Sequence, residues 1–434
     1  MIAIGGAIGT GLFLGSGFAI GFAGPSVLLS YLIGAVISLL LMGCLAEMAV
    51  AHPTPGAFGA WAEHYLGPLA GFLVRYSYWF AVVLAAGTEV TAVALYMTFW
   101  YPHIPGWIWI AAFGLTLIAI NLLEVRAFGA IEYIFSAMKI LAIVIFLCLG
   151  AAILFAARRG ADPTLGFHNY ISHGGFFPNG FSGTWTAVLV ALFSYFSIEM
   201  IAIAAGEAQD PQRAITRAFR ATFARLAGFY LATLAIILAI VPWDSAGHGQ
   251  SPFVVVMQRT HIPHAAAVVN CILLIAALSA MNSQLYITTR MLFALSRAGH
   301  APASWSRLSA RGVPVPCLLL STLGIALGAA LNALYPDRAF LLMVSISIFS
   351  AMFVWLMIFL THIAFRRAHS TDTASLIFRM PGYPYTTLTG AALMAALLLT
   401  TPFAPAFHLT LLFGIPFLLL LTIIFRVRFA STGS

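Results

Sequence analysis

The chain has 434 residues, 62% hydrophobic and only 7% charged, and so few polar residues cannot cover the surface of a soluble globule. Its formal charge of +8 lies mostly in short loops between apolar runs, with no basic stripe or interleaved stacking motif. The charge therefore reports topology, not a nucleic-acid partner.

Apolar runs of about 20 residues, enough to cross a hydrocarbon core of roughly 30 Å, are predicted at 1–22, 26–50, 68–100, 106–123, 130–156, 184–206, 221–242, 265–296, 316–334, 339–364, 386–402 and 406–425. The first run has no basic stretch ahead of it and is rich in glycine, so it reads as a first transmembrane helix and not a cleavable signal. With the N-terminus inside, Arg126, Arg213, Arg217, Arg220, Arg225 and most other loop arginines lie on the cytoplasmic side. Only Arg158, Arg159, Arg259 and Arg338 face outward, which sets the orientation and requires an even number of spans. Cys44, Cys148, Cys271 and Cys317 sit in or beside apolar runs with no close pair, which indicates neither a disulfide framework nor a metal site.

The polar stretch 157–183 divides the first five spans from the next five. The first span of each group is the unusual one. Span one carries Gly5, Gly6, Gly9, Gly11, Gly15 and Gly17, and span six carries Ser194, Ser197, Glu199 and Gly206. Interrupted segments in corresponding positions of two halves point to an inverted-repeat transporter with its site near the midplane. A helix opened at Gly9 would present the half-helix starting near Thr10 and Gly11 to an anion such as a carboxylate, and freed backbone groups are tolerated in hydrocarbon only beside a cavity or ligand. The plainer reading of these glycines is close helix packing of the small-xxx-small kind.

Lys139 is the only lysine, and it sits inside an apolar run. A buried ammonium is costly there and marks a functional position by default. Three roles fit it: an ammonium held by freed carbonyls, a nucleophile, or a proton-linked switch. Glu47, Glu89, Glu132, Arg75 and Arg290 are the other ionisable groups within spans or at their ends. Glu132 and Lys139 are two turns apart on one helix face, too far for direct pairing. Glu199 is expected to hold a bend or a neighbouring helix. No His-Glu-x-x-His, Walker sequence, Gly-x-Ser-x-Gly elbow or paired-aspartate motif is present, so an enzyme is disfavoured and no cofactor is implied.

Several stretches together carry a family resemblance: Met1-Ile-Ala-Ile-Gly-Gly-Ala-Ile-Gly-Thr-Gly-Leu-Phe-Leu-Gly-Ser-Gly17, Ala46-Glu-Met-Ala-Val50, Asn121-Leu-Leu-Glu-Val-Arg-Ala-Phe-Gly129, Ala205-Gly-Glu-Ala-Gln-Asp-Pro211, Ser251-Pro-Phe253 and Ala280-Met-Asn-Ser-Gln-Leu-Tyr-Ile-Thr-Thr-Arg-Met291. In this order the chain resembles an amino acid permease of the amino acid-polyamine-organocation superfamily, in the bacterial branch of proline, threonine, aromatic amino acid and GABA permeases.

The resemblance implies an all-α membrane protein of about twelve transmembrane helices: a 5+5 inverted repeat with discontinuous helices one and six, plus two C-terminal helices. It implies a single permease domain over 1–428, with repeat one at about 1–156, repeat two at about 184–364, extra helices at about 386–425 and a short cytoplasmic tail at 429–434. On that pattern Gly9, Thr10 and Gly11 receive a substrate carboxylate, while carbonyls around Ala7, Ile8, Phe193 and Phe196 accept its ammonium. Phe193 matches an aromatic gate. Lys139 matches a fifth-span lysine whose ammonium stands where sodium-coupled relatives hold a second sodium ion, and Ser279, Asn282 and Ser283 line that place.

Two departures stand out. Ser197 replaces the usual glycine, so the turn is expected to be less open or to add a hydroxyl to the substrate pocket. The half-helix before Gly9, about eight residues or about 12 Å long, reads as an incomplete N-terminus.

The implied function is uptake of a neutral amino acid across a bacterial cytoplasmic (inner) membrane by alternating access, proton-coupled and sodium-independent, with both termini cytoplasmic. The partners implied are the amino acid, the proton and the lipid bilayer. The alternatives are an exchanger without net proton movement and a transport-inactive sensor or structural membrane protein.

Overall fold

The computed structural model describes residues 9–54, 56–123, 128–158, 165–199, 227–247, 249–260, 262–369 and 378–429, and among these every regular element is helical. In chain order the main helices are α1 (Ser16–Ala23), α2 (Val27–Ala51), α3 (Ala57–Leu66), α4 (Pro68–Thr98), α5 (Gly106–Leu123), α6 (Phe128–Arg158) and α7 (Gly180–Tyr195). They continue with α8 (Ala227–Ile240), α9 (Pro252–Arg259), α10 (Ala265–Arg297), α11 (Val315–Ser321), α12 (Leu323–Leu334), α13 (Ala339–Ala368), α14 (Tyr385–Thr400) and α15 (Leu409–Phe429).

Eight helical stretches among the described residues are long and apolar enough to cross a membrane, counting the bent Gly11–Ala51 as one, and Gly106–Leu122, Gly180–Tyr195 and Ala227–Ile240 are shorter apolar helices. The first two predicted runs fall in that bent stretch, where Pro25 opens a tight 3₁₀ turn at Gly24–Ser26 between α1 and α2. The sixth run departs most: α7 stops at Tyr195, and residues 200–206 of that run lie outside the described residues. The short helices α3 and α9 have no counterpart in the predicted runs, because each is too short to span.

The chain forms two compact units: Met1–Ala35, Val83–Tyr195 and Arg225–Val344 in the first, and Val36–Val82, Phe196–Ala224 and Ser345–Ser434 in the second. In the first unit α1 packs against α7, and polar side chains knit the connections around them. The Ser26 and Thr184 hydroxyls share a 2.6 Å hydrogen bond, Ser30 Oγ donates to the Thr184 carbonyl at 2.7 Å, and Asn179 Nδ2 donates to the Phe22 carbonyl at 3.0 Å.

The last carbonyls of α7 have no partner within the helix. Tyr230 Oη of α8 donates to the Ser194 carbonyl at 3.0 Å, Tyr31 Oη and Ser194 Oγ lie 3.0 Å apart, and Tyr195 Oη returns to the Tyr31 carbonyl at 3.2 Å. Tyr230 thus satisfies one of these carbonyls, while Tyr31 meets the Ser194 hydroxyl and Tyr195 ties α7 to the backbone of α2. Elsewhere in this unit Gly324 of α12 lies on the Val83 carbonyl of α4, and Gly328 lies on the Gly87 carbonyl. A side chain at Gly324 would force the two backbones apart, which is the use of small residues at membrane helix contacts.

The second unit is organised around a buried carboxylate. Glu47, fully buried, accepts from the Met380 amide at 2.7 Å, lies 2.9 Å from His362 Nε2, and pairs with Arg366 Nε at 2.6 Å. His362 Nδ1 lies 3.1 Å from Thr387 Oγ1, and the Arg366 guanidinium stacks over the Tyr383 ring at 4.7 Å. One side chain therefore ties α2, α13 and the start of α14 together.

The same unit contains the bend after α7. Ser197 adopts a positive φ of 79°, a conformation that costs an L-residue about 1–2 kcal/mol. Its amide donates to Glu199 Oε1 at 3.2 Å, while Trp355 Nε1 of α13 donates to Glu199 Oε2 at 3.1 Å. Glu199 holds both the bend and the facing helix.

Two outcomes follow from these contacts. Glu47→Ala leaves a buried guanidinium uncompensated and should cost about 3–5 kcal/mol, read as a lowered midpoint of thermal unfolding in detergent; a triple change of Glu47, His362 and Arg366 to apolar residues should recover much of it. Ser197→Gly removes the positive-φ cost and should raise that midpoint, whereas Ser197→Val should lower it.

Candidate functional site

The helical part of span one begins at Thr10 and Gly11, as the glycine pattern predicts, but its first turn is a π-helix over Gly11–Gly15. Single π-turns inside helices are frequent at functional positions. The glycines let other groups come close: a β-carbon on Gly9 would lie 2.7 Å from Glu89 Oε1, and one on Gly11 would lie 2.7 Å from Ser194 Cα. Ser251 Oγ donates to the Phe13 carbonyl at 2.6 Å, and the Phe13 and Phe253 rings meet edge to face at 5.2 Å. The opened end of the helix is thereby anchored to α7 and α9.

At the break, the Thr10 amide points to the Glu89 carboxylate, with N to Oε1 at 3.4 Å. Glu89 is only 2% exposed on α4. Among the described residues, the buried Thr10 Oγ1 and Glu89 Oε2 have no hydrogen-bond partner.

Lys139, with no exposed surface on α6, acts electrostatically on the Glu89 carboxylate. Sequence reasoning singled out the lysine and passed over the carboxylate. The signal was present, since Glu89 is an ionisable residue in the middle of a long apolar run, and the same argument that marks Lys139 marks it. What the sequence does not contain is the meeting of residues 89 and 139 at the start of span one.

The other expected positions are distributed as follows. Ala7 and Ile8 lie outside the described residues. Phe193 is buried near the end of α7. Phe196 and Ser197 lie in the bend that follows, within the second unit. Ser279 and Ser283 are buried on α10, which packs against α6. Asn282 instead accepts a 2.8 Å hydrogen bond from Asn121 Nδ2 and so braces α10 against α5.

Cavities of two kinds lie among the described residues of the first unit. The larger, about 330 Å³, is lined by Phe13, Phe146, Phe253, Met257 and further apolar side chains. With no polar group to meet a carboxylate or an ammonium, it does not suit a zwitterion. The smaller, about 50 Å³, contains Tyr96, Gln250, Ser251 and Asn270 in its lining. No group of three metal-ligating side chains occurs among the described residues. The chemistry available is electrostatic: an opened helix end, a buried carboxylate and a buried ammonium.

The amino acid permease family model matches residues 1–430. The chain is 36% identical over 431 residues to the uncharacterized amino acid permease YtnA of Bacillus subtilis, covering 99% of this chain and 93% of that protein. It is 38% identical over 405 residues to the aromatic amino acid transport protein AroP of Salmonella typhimurium and to AroP of Salmonella typhi, covering 93% of this chain and 88% of each relative. A match over nearly the whole length places this multi-pass membrane protein in the amino acid permease family.

Proposed function

We propose that the protein takes up a neutral amino acid by alternating access, with inward proton movement supplying the drive. The observation that carries this reading is the Thr10 amide on the Glu89 carboxylate, with Lys139 acting on the same carboxylate from α6. In this reading the chain crosses the cytoplasmic membrane twelve times, as two inverted repeats of five spans followed by two further helices, with both termini inside.

The substrate carboxylate is received by the backbone at Gly9, Thr10 and Gly11, and its ammonium by carbonyls at the broken helix ends, with Phe193 as the ring that closes over it. A helix N-terminus favours an anion. The substrate carboxylate and Glu89 are then two anions at one set of amides, and like charges at short range oppose each other. A proton on Glu89 removes the conflict. Binding of substrate and binding of proton therefore favour one another, and by linkage each raises the affinity for the other by the same factor. Lys139 balances Glu89 when that proton is absent, with Ser279 and Ser283 on the adjoining face of α10. The net charge of the centre then differs between the loaded and empty states, which is the differential interaction that coupling requires.

The neutral character of the substrate follows from the same inventory. Glu199 is engaged by Ser197 and Trp355, and Glu89 is already offset by the Thr10 amide and Lys139, so neither buried acid of the described transport segments is an uncompensated partner for a second substrate ammonium. Among neutral substrates, the name of the Salmonella relatives favours aromatic amino acids.

Purified protein in liposomes should accumulate labelled phenylalanine under an inward proton gradient without sodium, and unlabelled tyrosine and tryptophan should compete better than proline, threonine or GABA. Glu89→Gln should retain binding and counterflow but lose proton-driven accumulation, and Lys139→Ala should weaken both. Wild-type uptake that needs sodium and ignores the pH gradient would overturn the coupling.

A further inference from the structure

The small polar cavity lies at the far end of α4 from the cytoplasm in the orientation proposed above. At its mouth are Thr98, Gly249 and Gln250, which are exposed, and at its floor are Tyr96, Ser251 and Asn270, which are buried. Two of the floor groups are occupied elsewhere: Ser251 Oγ donates to the Phe13 carbonyl at 2.6 Å, and Asn270 Nδ2 donates to the Tyr96 carbonyl at 2.8 Å. The Tyr96 hydroxyl is different. Only 2% of the residue is exposed, and the hydroxyl has no hydrogen-bond partner among the described residues.

A buried hydroxyl without a partner is rare enough to require a reason. The cavity volume of about 50 Å³ exceeds the roughly 30 Å³ that one water occupies in the liquid, so water can enter and meet it. Tyr96 lies two turns beyond Glu89 on α4, a rise of about 10.5 Å. A helical side chain leans towards the N-terminus of its helix, so the ring of Tyr96 extends back towards Glu89, and the two groups interact electrostatically. The charged groups facing this path among the described residues are Glu89 on the same helix and Lys139 on α6; α9 and α10 contribute the neutral Ser251 and Asn270.

We propose that Tyr96 carries the coupling proton from this cavity to Glu89. A hydronium ion in the cavity gives a proton to Tyr96 Oη while the hydroxyl's own proton moves, through one intervening water, to the Glu89 carboxylate. Hydronium becomes water, Glu89 becomes a neutral acid, and Tyr96 is neutral before and after; rotation of its hydroxyl resets the path. The proposal rests on Glu89 being the proton acceptor of the transport cycle.

The test uses the full chain in liposomes and compares two fluxes. Tyr96→Phe keeps the ring and removes only the carrier oxygen. Proton-driven phenylalanine uptake should slow ~10-fold or more, within reach of what a positioned proton-transfer group contributes, while phenylalanine counterflow at equal pH on both sides stays at the wild-type rate. The wild type should show a solvent deuterium effect on the first flux that the variant alters. A smaller slowing of driven uptake overturns the proposal, and so does equal slowing of both fluxes, which would make Tyr96 a packing residue. Failure of the underlying reading is recognised separately, because wild-type uptake would then ignore the pH gradient. Gln250→Leu, at the exposed mouth of the cavity, is the second variant: it should slow driven uptake and spare counterflow, and an unchanged driven rate counts against the path.

Discussion

A helix opened inside hydrocarbon must find partners for the backbone groups it frees, and the arrangement described here follows from that constraint. Two buried glutamates answer it in the same way. Glu89 accepts the Thr10 amide where span one begins, and Glu199 accepts the Ser197 amide where span six bends. Each carboxylate also needs relief from its own desolvation. Glu199 receives it from Trp355 Nε1, a fixed neutral donor. Glu89 receives it from Lys139, a charge.

That difference separates a brace from a switch. A carboxylate held by an indole and an amide has donors that do not titrate, so its surroundings are the same in every stage of a transport cycle. A carboxylate under the influence of an ammonium, with Oε2 lacking a hydrogen bond among the described residues, would see its surroundings change if a ligand anion arrived as proposed. Glu47 belongs with the braces: its oxygens are engaged by the Met380 amide, His362 and Arg366, and it joins three helices without an opened backbone nearby.

Much of this was legible in the residues. Glycine at positions 9 and 11 marked where span one comes close to its neighbours, since a side chain there would meet Glu89 and Ser194, while the half-helix expected before Gly9 lies outside the described residues. Lys139 declared itself by its charge in an apolar run. Ser197 was legible in part: the chain keeps the positive φ that a glycine would take there without cost, although serine does not favour it. The meeting of Glu89 with Thr10 and Lys139 was not legible, because it depends on how α4 and α6 pack about the start of span one, and periodicity within a helix carries no such register. The Tyr230 bond to the end of α7 and the Tyr31 and Tyr195 contacts beside it were hidden for the same reason, since the three tyrosines read singly as ordinary apolar-segment residues.

The electrostatic scale shows why an ion pair is retained where apolar packing would stabilise the fold equally well. Two unit charges about 4 Å apart interact by about 4 kcal/mol at the effective dielectric of 20 that suits protein sites. Coupling between two ligands of one protein typically amounts to about 1–3 kcal/mol. Under the proposed cycle, a substrate carboxylate at Gly9–Gly11, opposed by Glu89 and relieved by a proton on it, would supply a coupling energy of at least that size. Replacing the pair with leucine and methionine would preserve packing, yet it would remove the only group at that helix end whose charge can answer the substrate's. In the proposed cycle these two groups serve coupling more than stability, and the start of span one is where substrate charge and carboxylate charge would meet.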